Sequence, residues 1–341
     1  MRTIALLLAM ILAQPVAAAV PLTPATASAP SRWYHGAKSW IEGLWNHEAA
    51  DWLDRIGPAL AEQNYQGTLV IVSGASMDTL GVFHAYQNGH ERMRLVAMTG
   101  PHREVIRDDN RVTCIGTGLG PVGYDADTVG RWNPVGQFAG AARLSSYRAQ
   151  LGGMARVADR DAQIIDLQAR DPWRYGYRLW LDKVTALPLR IALIGEGGRP
   201  LEQIAFTDLK VGISPSESDL RASSEQGLQR IQTLSPGREV DPGWRVLDPP
   251  SGYSLRSTRQ LGQAVQLLYS DGLANVSVYI EPAAPGQRGE SALRRGAVNV
   301  HSITQDGRRV VTIGKVPAVT VAYFARKAQS NQTSTALQSN H

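Results

Sequence analysis

Asp171-Pro172-Trp173-Arg174-Tyr175-Gly176-Tyr177-Arg178-Leu179-Trp180-Leu181-Asp182 is the stretch that decides how this chain folds. Tyr175, Tyr177, Leu179 and Leu181 fall on every second residue, the period of a strand with one covered face. Asp182-Lys183 turns the chain back into a second apolar run, 187–194. A sheet face of Tyr and Trp covers an apolar partner or a core. It carries no catalytic group, so the stretch points to a binding module rather than an enzyme.

Upstream, the same period gives successive strands over 68–72, 81–87, 92–98, 104–107 and 111–115. Asn88-Gly89 is a two-residue hairpin signal, and Thr99-Gly100 and Asp108-Asp109-Asn110 are turns. Connections this short force antiparallel neighbours, because parallel strands need a crossover of a dozen or more residues. Residues 116–146, rich in Gly, break the pattern and read as loops with a short helix near 138–147. Strands resume at 155–158, 162–168, 175–181, 188–194 and 201–209, with Glu196-Gly197-Gly198-Arg199 turning between the last two. A meander of about ten strands curls or half-closes to shelter its edges.

Before the meander, Trp40, Ile41, Leu44, Trp45, Trp52, Leu53, Ile56 and Leu60 recur at helical spacing. Gly57-Pro58 kinks or splits that helix. Its tryptophans suit a membrane surface, but the lack of a strongly basic side favours packing on the sheet.

The outermost segments set the compartment. Arg2, the apolar run 4–12 and Ala17-Ala18-Ala19 read as an export signal over 1–19. Its apolar core is about half of the ~20 residues that span a bilayer. Residues 20–46 are a flexible, Trp-rich lead-in, and 328–341 a polar tail expected to be disordered. The Pro- and Ser-rich stretch 213–243 reads as a linker between a larger domain, 47–212, and a smaller one, 244–327. In the smaller domain, 260–268 reads as a strand or a short helix. Residues 275–280, 297–304, 309–313 and 318–324 continue its sheet, with turns at Asp306-Gly307 and Gly314-Lys315.

The net charge is +5, and lysine occurs only at Lys38, Lys183, Lys210, Lys315 and Lys327, so arginine dominates. Arginine suits bidentate contact with phosphate or carboxylate. In an exported protein the anionic partners are lipid headgroups, lipopolysaccharide or an acidic protein segment, not nucleic acid. Arg92, Arg94, Arg103 and Arg107 lie on neighbouring strands and are the candidate contacts for such groups, against ordinary cross-strand pairing with Glu91 and Glu104.

Chemistry is otherwise thin. His84 and His90 lie on neighbouring strands without a third ligand, so no metal is expected. Gly116-Thr117-Gly118-Leu119-Gly120 has the wrong spacing for a dinucleotide loop. Asp108-Asp109 sits in a turn, and Asp125 and Asp127 in a loop. The single cysteine, Cys114, reads as a buried apolar residue of its strand. No catalytic residues and no cofactor are expected.

Taken in order, several pieces resemble one family. They are Asn64-Tyr65-Gln66-Gly67, His84 with Asn88-Gly89, residues 100–109, Arg156-Val157-Ala158, residues 171–182, Leu187-Pro188-Leu189, residues 266–274 and residues 276–282. Together they make the chain similar, over roughly 50–326, to the RseB and MucB regulators of the envelope-stress sigma factor. That resemblance implies an α+β, mainly antiparallel fold. A curled half-barrel of LolA type is covered by helices and joined to a smaller α+β domain. It also implies a non-catalytic periplasmic protein that binds the periplasmic region of an RseA- or MucA-like anti-sigma factor. Such a protein shields that factor from proteolysis and releases it on binding lipopolysaccharide or lipoprotein acyl chains. As a separate hypothesis, residues 212–243 are the hinge of that release. The alternative is a lipoprotein or lipid carrier of LolA type. Whether the protein forms a homo-oligomer stays open.

Overall fold

The computed structural model describes residues 38–109, 111–116, 145–223, 229–233 and 243–331. The expected export signal, most of the lead-in, the loop 117–144 with nearly all of its short helix, and the end of the tail lie outside them. The larger compact unit, Trp45–His341, holds two main sheets, both antiparallel.

Eleven strands form the first sheet in the order β11-β5-β4-β3-β2-β1-β10-β9-β8-β7-β6. They are β1 (Tyr65–Ser73), β2 (Ser76–Gln87), β3 (His90–Ala97), β4 (Arg103–Asp108), β5 (Arg111–Gly116), β6 (Tyr147–Val157), β7 (Arg160–Ala169), β8 (Gly176–Asp182), β9 (Pro188–Ile194), β10 (Pro200–Val211) and β11 (Gln229–Thr233). The sheet is open, with β11 and β6 at its edges. Asn88 (φ 52°) and Gly89 (φ 83°) make the primed turn expected between β2 and β3. Ala158 and Asp159 do the same between β6 and β7.

Helix α1 (Lys38–Glu62) runs unbroken through Pro58. Ala49, Leu53 and Ile56, three and four residues apart, are fully buried. They pack on Ile165, Leu167, Leu179, Leu181 and Ile191 from β7, β8 and β9. The alternation read in 175–181 is therefore a core face under a helix.

Six strands form the second sheet in the order β13-β14-β15-β18-β17-β16: β13 (Ser254–Leu261), β14 (Ala264–Ser270), β15 (Asn275–Pro282), β16 (Glu290–Arg295), β17 (Val298–Gln305) and β18 (Arg308–Gly314). Helix α3 (Ala318–Lys327) covers one face through Val321, Phe324 and Ala325, against Leu267, Val278, Ile280 and Val310. A two-stranded pair, β12 (Trp244–Val246) with β19 (Ala328–Ser330), adjoins α3.

Several expectations are corrected. Residues 318–324 are helix, not strand: Thr320, Val321, Phe324 and Ala325 are buried at helical spacing, whatever the β-branched run Val319-Thr320-Val321 prefers. Gly314-Lys315 accordingly leads into α3 rather than into a hairpin. The strand ending near Ala158 begins at Tyr147, where the short helix was expected to end; its pairing slips between Leu151 and Met154, around Gly152-Gly153. Residues 260–268 are neither one strand nor a helix but the β13–β14 hairpin, turning at Gly262 (φ 62°). The tail's first residues pair with β12. The linker stretch carries a helical turn, α2 (Glu217–Leu220), closed by a Ser216–Asp219 capping box, and the edge strand β11, paired to β5.

Candidate binding site at the junction of the sheets

The corner between β7 and β8 is built to leave its own sheet. Asp171 turns it, accepting hydrogen bonds from the Trp173 backbone (3.0 Å) and from Arg174 Nε (2.9 Å). That aims the Arg174 guanidinium into the loop after β14. There Nη1 donates to Asp271, and Nη2 donates to the Ser251 carbonyl at 2.6 Å. Both charged side chains of the Arg174–Asp271 pair are wholly buried. The guanidinium lies 4.8 Å from the Tyr253 ring centre. Asp271 also accepts from Leu273 N (2.8 Å), Ala274 N (2.7 Å) and the Tyr147 hydroxyl (3.3 Å).

Further bonds close the joint. Tyr253 Oη and Thr320 Oγ1 donate to the Trp173 carbonyl at 3.0 and 2.9 Å. Asn299 donates to Tyr175 Oη at 3.1 Å, and Lys315 meets Glu202 at 2.6 Å. Gly252 (φ +87°) belongs here because a Cβ would stand 2.3 Å from Ser146 Oγ. Leu273 packs into the core cluster under α1. Beside the joint lies a cleft of about 530 Å³, lined among others by Asp166, Tyr177, Arg178, Glu196 and Pro317. Burial raises the Tyr147, Tyr177 and Tyr253 phenols, and the nearby Asp271 carboxylate raises them further, so they stay neutral donors. This is an arrangement for holding.

The four arginines singled out from sequence divide between the two faces of the large sheet. Met93 and Leu95 point into the core, so Arg92 and Arg94, of opposite parity, take the other face with Glu104. Arg103, Val105 and Arg107 share the core-side parity. Each arginine has an acidic neighbour: Arg92–Glu217 (2.8 Å), Arg94–Glu104 (3.1 Å), Arg103–Asp78 (3.5 Å) and Arg107–Glu91 (3.1 Å).

Arg92 and Arg94 hold the expected linker. Arg92 reaches Glu217, and Arg94 Nη1 donates to the Asp219 carbonyl at 3.1 Å. The buried Glu104 takes two bonds from Arg94 and one from Ser223 N, and lies 2.8 Å from His102 Nε2. Burial alone would raise the Glu104 carboxyl, but the Arg94 and Ser223 hydrogen bonds overcome it and hold the group down at about 2. On the core side, Arg103 Nε is buried without a hydrogen-bond partner among the described residues.

His84 is buried, stacked 4.6 Å from Tyr65, and donates through Nδ1 to the Gln63 carbonyl at 2.7 Å; His90 stands apart, exposed, on Asp109. Cys114 is buried, and burial pushes its thiol up to about 11, away from thiolate reactivity. The joint was not anticipated. Its halves sit in two segments noted for their sequence, but nothing in either says that they meet. The only local signal is a charge, Arg174, inside an aromatic run.

Comparison with known proteins follows this architecture. Residues 48–224 match the family described as MucB/RseB N-terminal domain, and residues 238–329 the MucB/RseB C-terminal domain. The sigma factor AlgU regulatory protein MucB of Pseudomonas aeruginosa is 36% identical over 292 residues, covering 82% of this chain and 90% of that protein. Among solved structures, the Pseudomonas aeruginosa MucA/MucB complex matches with a TM-score of 0.71 at 31% identity, covering 83% of this chain and 99% of the matched one. A crystal structure of MucB matches with a TM-score of 0.63 at 32% identity, covering 83% of this chain and 98% of the matched one.

Proposed function

The chain belongs to the MucB/RseB family, and from that premise we propose that it is a non-catalytic regulator that holds the periplasmic part of a MucA- or RseA-like anti-sigma factor. The observation that carries this reading is the match to both halves of a relative solved as a complex with MucA. The buried joint at Arg174–Asp271 supports it, because it keeps the two sheets together as one surface for a partner.

In this reading the protein is exported, loses residues 1–19 as its signal peptide, and acts in the periplasm through its domains at 47–212 and 244–327. Bound to the anti-sigma factor, it screens that segment from a protease. An acyl chain or lipopolysaccharide that prefers the partner-free form releases it. Linkage limits the effect to the ligand's difference in affinity between the two forms, and ~1–3 kcal/mol changes partner affinity about 5- to 150-fold. Arg92, Arg94, Arg103 and Arg107 are proposed contacts for acidic side chains or anionic headgroups, and each must exchange its present carboxylate to serve.

The deciding experiment is titration of the purified chain with the periplasmic segment of the cell's own anti-sigma factor, followed by protease challenge. Micromolar or tighter binding with slowed cleavage is expected. Charge reversal at Arg103 and Arg107 together should weaken it, most at low salt. Absence of binding, together with transfer of lipoproteins between membranes, selects the carrier reading instead.

A further inference from the structure

The outer edge of the six-stranded sheet carries an unspent recognition surface. Among the described residues β16 pairs with β17 alone, and five of its six residues are exposed. The ladder fixes which backbone groups face outward. Thr304 N donates to the Gly289 carbonyl, and Glu290 stands opposite Ile303. Hydrogen-bonded and non-bonded pairs alternate in an antiparallel ladder. Glu290, Ala292 and Arg294 therefore turn their N–H and C=O groups away from β17, to the free edge.

The charge along this edge is unbalanced. Glu290 is already engaged by Arg326 at 2.5 Å and His301 at 2.9 Å. Arg294 donates to the Gly296 carbonyl, but neither it nor Arg288 or Arg295 has an acidic partner among the described residues. Several other sheet arginines are matched, as Arg160 with Asp182, Arg178 with Asp166 and Arg309 with Glu281. Leu293, 42% exposed, adds an apolar side chain to the same strand.

We propose that β16 is a strand-addition site for an extended acidic segment of a protein partner. The outward amides of Glu290, Ala292 and Arg294 would supply the ladder, and Arg288, Arg294 and Arg295 the charge complement. A second copy of this chain is disfavoured as the occupant. It would bring its own unmatched Arg288, Arg294 and Arg295 to the same edge, and like charges opposite one another repel. The site is independent of the regulator reading and needs no anti-sigma factor; its failure leaves that reading untouched.

The test uses the full chain and two synthetic probes, a peptide alternating glutamate with valine and its lysine counterpart, followed by fluorescence anisotropy. The acidic peptide should bind in a salt-sensitive way and the lysine peptide should not. Ala292→Pro removes an outward donor without touching the β17 ladder, and should weaken binding about tenfold. Arg294→Glu with Arg295→Glu should weaken it at least as much. If Ala292→Pro does not fold, an acidic peptide N-methylated on alternate amides replaces it, and in one of its two registers must bind more weakly. A folded Ala292→Pro protein that binds as tightly as the parent would show charge attraction alone and overturn the proposal. So would no binding of the acidic peptide, equal binding of the lysine peptide, or capture of anionic lipid vesicles that Ala292→Pro leaves unchanged while the peptide fails.

Discussion

Arg174 and Asp271 are buried, paired and indispensable to each other. Removing one partner of such a pair costs about 3–5 kcal/mol, because the other charge is left without compensation. The two substitutions are not equivalent here. Asp271 also holds Leu273 N, Ala274 N and the Tyr147 hydroxyl, so Asp271→Ala should destabilise more than Arg174→Met in urea unfolding. Glu104 gives a second test. Its carboxyl titrates near 2 in the folded chain, below the ordinary 4.5. Its contribution is thus complete above about pH 4.5 and drains away as the pH falls toward 2; the shift corresponds to about 3 kcal/mol at most. Glu104→Gln should flatten that acid limb in unfolding measured against pH. At this scale the sequence was half legible. Arg94 and Glu104 were both visible as a cross-strand pair, but the bond from Glu104 to Ser223 joins residues far apart in the chain and left no local trace.

Elements were legible where one face is buried and the turn chemistry is explicit. The β2–β3 hairpin shows both, in the alternation of Val82, Met93 and Leu95 and in Asn88-Gly89. Strand β16 shows neither: its side chains are almost all exposed, so no period separates it from a loop. Helix α3 failed for the opposite reason, since its β-branched residues favour a strand while tertiary burial imposes a helix. Phe324 is fully buried against Tyr253 and Tyr269, with ring centres 5.4 and 5.2 Å apart. Phe324→Ala should therefore cost about 3–5 kcal/mol in chemical denaturation, by opening a cavity under the small sheet.

For the whole molecule, the order of the resembling segments predicted both halves and their family; what it could not give was the bond pattern that joins them. The joint has a second contact at the β1–β2 turn, where a Cβ on Gly74 would lie 3.7 Å from Gly296 Cα. Replacing both glycines with cysteine, at φ +59° and +56°, costs some strain and needs the Ser73 hydroxyl, 2.9 Å from a Cβ on Gly296, to shift, but the two backbones are near enough for a disulfide to be engineered between them. If ligand-driven release requires the two sheets to separate, the oxidised protein should hold its anti-sigma partner in lipopolysaccharide and let it go once reduced; equal release in both forms, read by size-exclusion chromatography, removes sheet separation from the mechanism. The order of strands has a practical corollary. The large sheet borrows its outermost member from the very segment that leads to the small one, and Glu104 borrows the amide of Ser223. A piece trimmed at residue 212 would therefore be born with a raw, sticky flank and a stranded carboxylate, prone to clump. Anyone dividing this protein into halves should cut after Thr233.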